Sequence, residues 1–364
     1  MPARETNTTS TISWGKAVCS TALHLGGAMG NPPQPPLDPS TKVSTDPVFV
    51  RIIGELNVNQ DQLQKRQKLL REIEAQLSDR YGAQNRVLSY MFRFDHSQAI
   101  MHSSDIPSLE AILNSTSGTE QLALILHSPG GDPTIVEKMV DMCRSHLSGN
   151  HKKFRIIVPN VAKSAATVMA LGSDEIVMGY CSELGPIDPQ VQTVESGQRR
   201  WVSAFAFVDA RDDLVKKIRT AVKKKEPTLA FVTQLAGLNI PYTQEMENWI
   251  EFAKKTAATL LDKYMLQAKF PQAERRKKKA DEIVRKLLSK QLFPVHGQFI
   301  DAATAQKLDL EIELIDRGEK LWELIWEYYI RSEVQMNVPL QPPLTKTKLF
   351  ESSSASLVVQ GTAT

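Results

Sequence analysis

The chain has 364 residues, of which 41% are hydrophobic and 23% charged, a composition typical of a globular protein with room for one α/β core and additional helices. Its 44 basic and 41 acidic side chains give a net charge of +3, which is too balanced to indicate a nucleic-acid-binding protein. No apolar run approaches the roughly 20 residues that cross a bilayer, and the three cysteines form neither a disulfide framework nor a zinc pattern. These features exclude collagen-like, membrane-spanning and disulfide-stabilised classes and favour a cytoplasmic protein.

Both ends of the chain are predicted to be disordered. Residues 1–48 hold seven of the 20 prolines, and residues 334–364 combine prolines with a serine-rich cluster. Such segments bury too little apolar surface to offset the loss of chain entropy on folding. Between them, residues 49–82 predict a charged helix whose apolar stripe packs on the core or on a second subunit, and Gly82 ends that helix.

The remaining domain, residues 83–333, begins with alternating strands and helices. Apolar runs at 122–127, 154–158 and 175–178 have the size of buried strands, and amphipathic or small-residue helices separate them. This order predicts crossover connections and a mostly parallel α/β sheet. The second half is largely helical, with basic segments at 216–225 and 275–290 on either side of a long helix near 244–269.

Two motifs about 35 residues apart carry the chemistry. Gly130 and Gly131 follow the strand at 122–127, and their N–H groups can point into a cleft without obstruction by a Cβ. Ser164 begins a helix, where its hydroxyl is exposed and the Ala165 N–H faces a developing anion. These elements suit a serine nucleophile with an oxyanion hole, although the spacing alone is as readily explained by a helix-capping serine and a structural glycine turn, which recur in many α/β folds.

The sequence resembles the serine dehydrogenase proteinase family of Clp-type serine peptidases, which are related to the Clp proteolytic subunit and to signal peptide peptidase A. The resemblance rests on the motifs Leu126-His-Ser-Pro-Gly-Gly-Asp132, Ala162-Lys-Ser-Ala-Ala166 and Ser182-Glu-Leu-Gly-Pro-Ile-Asp-Pro-Gln190. It implies a Clp/crotonase-like spiral of ββα units. It also implies that Ser164 is the nucleophile and that Gly130, Gly131 and Ala165 form the oxyanion hole.

The general base is left open between two alternatives. In the Clp subunit a histidine and an acid follow the serine, and here Asp188 and His296 stand near those two places with their identities exchanged. The first alternative therefore makes His296 the base and Asp188 the acid that orients it, since triads are recognised by geometry rather than by chain order. Relatives of signal peptide peptidase A use a lysine instead, and Lys216 and Lys217 lie at a comparable distance from the serine.

The predicted function is that of a serine-type endopeptidase acting through an acyl-enzyme on Ser164. The alternative is a catalytically inactive or acyl-CoA-type crotonase-fold protein that serves as an assembly scaffold. No phosphate-binding glycine motif and no metal-ligand cluster is present, so neither a cofactor nor a metal is predicted. We expect a peptide or protein substrate, a homo-oligomer and no nucleic acid. A separate ATPase or membrane partner, and with it peripheral membrane association, is left open.

Overall fold

A computed structural model describes residues 47–57, 61–116, 118–195, 197–338, 340 and 343–362. The strands are β1 (Asn85–Phe92), β2 (Gln121–His127), β3 (Lys153–Val158), β4 (Val161–Ala162), β5 (Glu175–Met178), β6 (Glu183–Leu184), β7 (Gln190–Glu195), β8 (Gln198–Ser203), β9 (Ile312–Leu314), β10 (Leu344–Ser352) and β11 (Ser356–Thr362). The helices are α1 (Val48–Asn57), α2 (Gln62–Tyr81), α3 (Ile106–Asn114), α4 (Val136–Ser145), α5 (Ala165–Leu171), α6 (Ala204–Lys224), α7 (Leu229–Ala236), α8 (Ile240–Lys263), α9 (Ala273–Leu287), α10 (Ala302–Lys307) and α11 (Lys320–Asn337).

The predicted α/β class with a mostly parallel sheet is confirmed. The main sheet has seven strands in the order β11-β10-β1-β2-β3-β5-β9. The five strands from β1 to β9 in that order are parallel to one another, whereas β10 is antiparallel to β1 and β11 is antiparallel to β10. The carboxyl ends of β2 and β3 therefore meet at one edge, which is where ligands and reacting groups gather in parallel sheets.

Hydrophobic side chains cover the sheet on both faces, which explains why its strands read as continuous apolar runs. In β2, Leu122, Leu124 and Leu126 pack on one face, and Ala123 and Ile125 pack on the other, where α2 and α11 also lie. This double burial fixes the register of β2, because a slip of one residue would exchange the two faces.

The predicted charged helix over 49–82 is two helices, α1 and α2. Gly82 ends α2 in the left-handed conformation (φ 65°), as predicted. The apolar stripe of α2 packs on the core of the same chain through Leu70, Ile73 and Leu77, whereas Leu63 at its start is 40% exposed. Residues 1–46, which hold nearly all of the predicted N-terminal disordered segment, lie outside the described residues.

The prediction of a disordered tail over 334–364 is wrong for most of that segment. Helix α11 continues to Asn337, and β10 and β11 form an antiparallel pair at the edge of the main sheet. The polar composition of this segment suggested disorder, but two of its charged side chains, Lys348 and Glu351, form ion pairs in the interior of the protein. The Lys348 Nζ lies 2.6 Å from an Asp105 oxygen, and Arg66 binds Glu351 through two hydrogen bonds of 2.9 Å. An argument from composition treats charged residues as exposed to solvent, whereas in the folded chain Lys348 is paired with Asp105 and Glu351 with Arg66.

The helical second half follows the prediction with shifted ends. The long helix predicted near 244–269 is α8, the basic segment at 275–290 corresponds to α9, and the basic segment at 216–225 forms the end of α6. Among the described residues, no helix combines the length and the low polarity that a membrane span requires.

Candidate active site

The predicted nucleophile Ser164 lies at a sharp turn between β4 and α5. Its backbone has φ 52° and ψ −121°, which a side-chain-bearing residue adopts only under strain. Its side chain makes no hydrogen bond that caps α5, so the helix-capping alternative is not what the structure shows. A strained, uncapped serine on a strand-to-helix turn is the geometry of a nucleophile elbow.

The turn that follows β2, residues 128–131, is called the glycine turn, and it lies directly against this serine. A Cβ on Gly130 (φ 100°) would lie 2.7 Å from the Lys163 carbonyl oxygen and 2.8 Å from the Ser164 Cβ. A Cβ on Gly131 (φ 148°) would lie 2.4 Å from backbone atoms of Met101. Both positions therefore require glycine, and the turn approaches Ser164 as closely as two backbones allow.

Backbone N–H groups at this turn can receive an oxyanion. The Gly130 N–H already donates to the Ser128 Oγ at 3.1 Å. Within the described residues, the N–H groups of Gly131 and Ala165 have no acceptor. Of the three predicted donors, Gly131 and Ala165 are thus the two that remain open to a developing negative charge.

His296 and Asp188 contact each other although 108 residues separate them. The His296 Nδ1 lies 2.6 Å from the Asp188 Oδ1, and the second oxygen of Asp188 accepts a hydrogen bond of 3.0 Å from Gln190. Burial raises the pKa of the Asp188 carboxyl, but the hydrogen bonds from His296 and Gln190 outweigh it, so the pKa is lowered overall. The carboxylate therefore stays ionised and favours the histidine tautomer that carries its proton on Nδ1, which leaves Nε2 as a proton acceptor.

The segments that carry the three predicted catalytic side chains lie side by side. Strand β4, which ends two residues before Ser164, pairs in parallel with β6. Within β6, Leu184 exchanges two backbone hydrogen bonds of 2.9 Å with Ile300. Asp188 follows Leu184 by four residues, and His296 precedes Ile300 by four. Two adjacent backbone pairings thus connect three segments: the serine turn (residues 163–164), the segment that leads from β6 to Asp188, and the segment that leads from His296 to Ile300.

The alternative base lysines are not brought to this site. Lys216 and Lys217 are exposed on α6, and Lys217 pairs with Asp213 one helical turn away at 2.6 Å. Neither has a hydrogen bond or ion pair with the serine turn or the glycine turn. The contact between His296 and Asp188 therefore favours the histidine alternative.

Two further residues near the site, His127 and Cys181, are buried or half-buried. His127 is buried at the end of β2, where burial lowers its pKa to about 3 and its Nδ1 accepts a hydrogen bond from the Val161 N–H. It therefore stays neutral in the interior and joins β2 to the start of β4. Burial raises the pKa of the Cys181 thiol to about 11, which makes it a poor nucleophile. Among the described residues, no group of three potential metal ligands comes together.

The sequence reasoning missed the part that Lys163 plays. Adjacent helical side chains diverge, so the sequence alone gives no reason for a lysine next to the serine to serve the site. In the structure its ammonium group reaches the segment that follows His296, with the Gly297 carbonyl oxygen at 2.9 Å. Only the motif Ala162-Lys-Ser-Ala-Ala166 hinted at a polar residue here, and nothing in it identified the partner.

Comparison with known proteins concerns mainly the first half of the described chain. The model of the ClpP-like SDH-type serine proteinase family matches residues 48–199, which confirms over those residues the predicted resemblance to that family and its fold class. Two uncharacterised proteins of Methanocaldococcus jannaschii are similar. One is 28% identical over 145 residues (40% of this chain and 48% of the relative), and the other is 37% identical over 68 residues (19% and 22%). The chain thus spans about half or less of the curated relatives that it matches.

Two solved structures show a more distant likeness. The 1510-N membrane-bound stomatin-specific protease is 17% identical, with a TM-score of 0.25, over 36% of this chain and 63% of that chain. An enoyl-CoA hydratase of Geobacillus kaustophilus is 11% identical, with a TM-score of 0.20, over 56% of this chain and 87% of that chain.

Proposed function

We propose that this chain, which over residues 48–199 belongs to the ClpP-like SDH-type serine proteinase family, is a serine endopeptidase that forms an acyl-enzyme on Ser164. The observation that carries the proposal is the contact of 2.6 Å between His296 and Asp188, on segments that adjoin the serine turn. A histidine held by an ionised carboxylate is the standard means of activating a serine hydroxyl. Family membership supports the reaction class, and the contact supports the mechanism.

The proposed reaction assigns a part to each group of the site. The His296 Nε2 takes the proton of the Ser164 hydroxyl as the oxygen attacks the carbonyl carbon of the scissile peptide bond. The N–H groups of Gly131 and Ala165 donate to the resulting oxyanion. The imidazolium, stabilised by Asp188, then protonates the leaving amine, and a water activated by the same histidine hydrolyses the ester.

The strain at Ser164 contributes to this reaction. The fixed backbone turn sets the direction in which the Ser164 Cβ leaves the chain, so part of the cost of placing the hydroxyl is met when the protein folds. The absence of a capping hydrogen bond has a similar effect, because attack by the hydroxyl does not break an existing interaction.

The proposed setting is a cytoplasmic homo-oligomer acting on peptides or unfolded proteins, with no cofactor. A separate ATPase would supply unfolding, since the sequence carries no phosphate-binding motif of its own. Light scattering at micromolar concentration tests the assembly, and a monomer there would contradict it.

Labelling with a fluorophosphonate probe tests the chemistry. We expect the wild-type chain to be labelled on Ser164 and to hydrolyse a peptide library. We expect Ser164→Ala to lose both activities while it keeps the wild-type melting temperature. Ser145→Ala, which changes an exposed serine of α4, is the matched control and should retain the label. A wild-type chain that is neither labelled nor active would instead favour the assembly-scaffold alternative.

A further inference from the structure

Lys163 contacts all three segments of the proposed site. Its backbone N–H donates to the Ser128 carbonyl oxygen at 3.0 Å, which joins the serine turn to the glycine turn. Its side chain extends to residues 295–299, the base loop, which contains His296. One residue next to Ser164 therefore connects the oxyanion donors, the nucleophile and the base.

The ammonium group of Lys163 is fully engaged at the base loop. Its Nζ donates to the carbonyl oxygens of Gly297 at 2.9 Å and Gln298 at 3.3 Å, and it lies 3.0 Å from the Glu183 carboxylate. A lysine ammonium has three N–H donors, so these three acceptors use all of them.

The path of the side chain is also constrained. Only 13% of the Lys163 side chain is exposed, and its stem passes over Gly185, where a Cβ would lie 2.7 Å from the Lys163 Cδ. Gly185 belongs to the segment between β6 and Asp188. The stem thus lies against Gly185, and its end is held by the base loop, so the ammonium has little freedom to leave the two carbonyl groups.

We infer that Lys163 is a positioning residue, which holds the base loop so that His296 stays aligned with Ser164. This inference rests on the proposed function and assigns to it a residue outside the serine, histidine and aspartate. The base loop has no helix or strand of its own between residues 295 and 299, so a point of attachment one residue from His296 largely determines where the imidazole lies. A displacement of about 1 Å at a reacting group can cost about 10²-fold in rate.

The test compares Lys163→Met with Lys163→Arg. Methionine keeps the apolar stem over Gly185 and removes the donors, whereas arginine keeps a cation that can donate to the two carbonyl groups. We expect Lys163→Met to lower kcat and the rate of fluorophosphonate labelling about 10²-fold, with KM changed less than about threefold. We expect Lys163→Arg to recover most of both rates.

Two controls separate positioning from stability and from simple charge. Glu183→Gln removes the ion pair but leaves the carbonyl contacts, and we expect less than a tenfold loss from it. Lys254→Met removes a partly exposed lysine of α8 that, among the described residues, pairs only with Glu251 of the same helix, and it should have no effect. Melting temperatures are recorded for every variant. If Lys163→Met does not fold, Lys163→Gln replaces it, and the same changes in kcat, labelling rate and KM are expected.

The outcomes distinguish this inference from the proposed function. Wild-type labelling with an unchanged rate in Lys163→Met overturns the inference alone, as does a loss confined to KM. A loss that Lys163→Arg does not recover, and that follows the melting temperature, shows a structural role only and also overturns it. A wild-type chain without labelling or hydrolysis overturns the proposed function and this inference together.

Discussion

The Asp188 Oδ1 lies 2.6 Å from the His296 Nδ1, although the two residues are 108 positions apart in the chain. The contact is formed because β6 pairs with β4 on one side and with Ile300 on the other, which brings the residues after β6 against those before Ile300. The predicted acid and base thus meet through backbone pairing beside the serine turn.

The first prediction is that this contact controls turnover. Asp188→Asn keeps the shape of the side chain but removes its charge. The variant no longer favours the His296 tautomer with its proton on Nδ1, and it no longer stabilises the imidazolium that forms during the reaction. We expect kcat/KM to fall about 10²- to 10⁴-fold, and His296→Gln to lower it at least as much. Hydrolysis of a fluorogenic peptide measures both values. Lys216→Met and Lys217→Met are the controls, and a large loss in either would favour the lysine alternative.

The second prediction concerns pH. Burial raises the pKa of the Asp188 carboxyl, but the hydrogen bond and the charge of His296 outweigh it, so the pKa is lowered overall. A carboxyl whose pKa is lower in the folded chain than in the unfolded chain stabilises the fold above its unfolded pKa of about 4, and this contribution is lost as the pH falls. The free energy of unfolding of the wild-type chain should therefore decrease more steeply in acid than that of Asp188→Asn, which lacks the carboxyl. Urea denaturation of both chains at neutral and at acidic pH measures this difference, and the same pH dependence in both would contradict the assignment.

The sequence indicated which residues of the candidate site lie together better than it predicted the structure of the tail, and the reason is the range of the interactions involved. The glycine turn and the serine turn are local features, since each can be recognised from a motif of five consecutive residues (127–131 and 162–166). The distant pair of Asp188 and His296 was found only because the resemblance to Clp-type peptidases supplied a place for each member. Periodicity and composition alone did not connect them.

The features that the sequence missed depend on loop geometry. Whether the Gly130 N–H is free is decided by the rotamer of Ser128, and the reach of Lys163 is decided by a loop more than 130 residues away. Neither leaves a mark on hydrophobic patterning, because both are polar contacts between irregular segments.

The third prediction tests the close approach of the glycine turn to the serine. In Gly130→Ala the new Cβ would lie 2.7 Å from the Lys163 carbonyl oxygen at a φ of 100°, so the turn must move away from Ser164. We expect the free energy of unfolding to fall by about 1–3 kcal/mol and kcat/KM to fall about 10²-fold or more. Urea denaturation and peptide hydrolysis measure the two effects.

Gly82→Ala is the matched control for this variant. Gly82 also has a positive φ, of 65°, but a Cβ there would meet nothing within 4 Å. It should therefore lose about 1–2 kcal/mol of stability from backbone strain and keep full activity. Equal activity in the two variants would show that the glycine turn does not contribute to catalysis.

The fourth prediction follows from the strands that replace the expected disordered tail. Glu351 in β10 is completely buried and accepts two hydrogen bonds from Arg66, which is 2% exposed. Glu351→Gln should lower the free energy of unfolding by about 3–5 kcal/mol, because it leaves the buried guanidinium without a counter-charge. The double variant Arg66→Met with Glu351→Met should be closer to wild type than the single variant, and Glu72→Ala, which removes an exposed pair on α2, should change stability by less than about 0.5 kcal/mol. Urea denaturation at neutral pH measures all three. If Glu351→Gln proved as stable as Glu72→Ala, the β10 strand would contribute little to the fold, and the disorder predicted from composition would describe the tail better than the paired strand does.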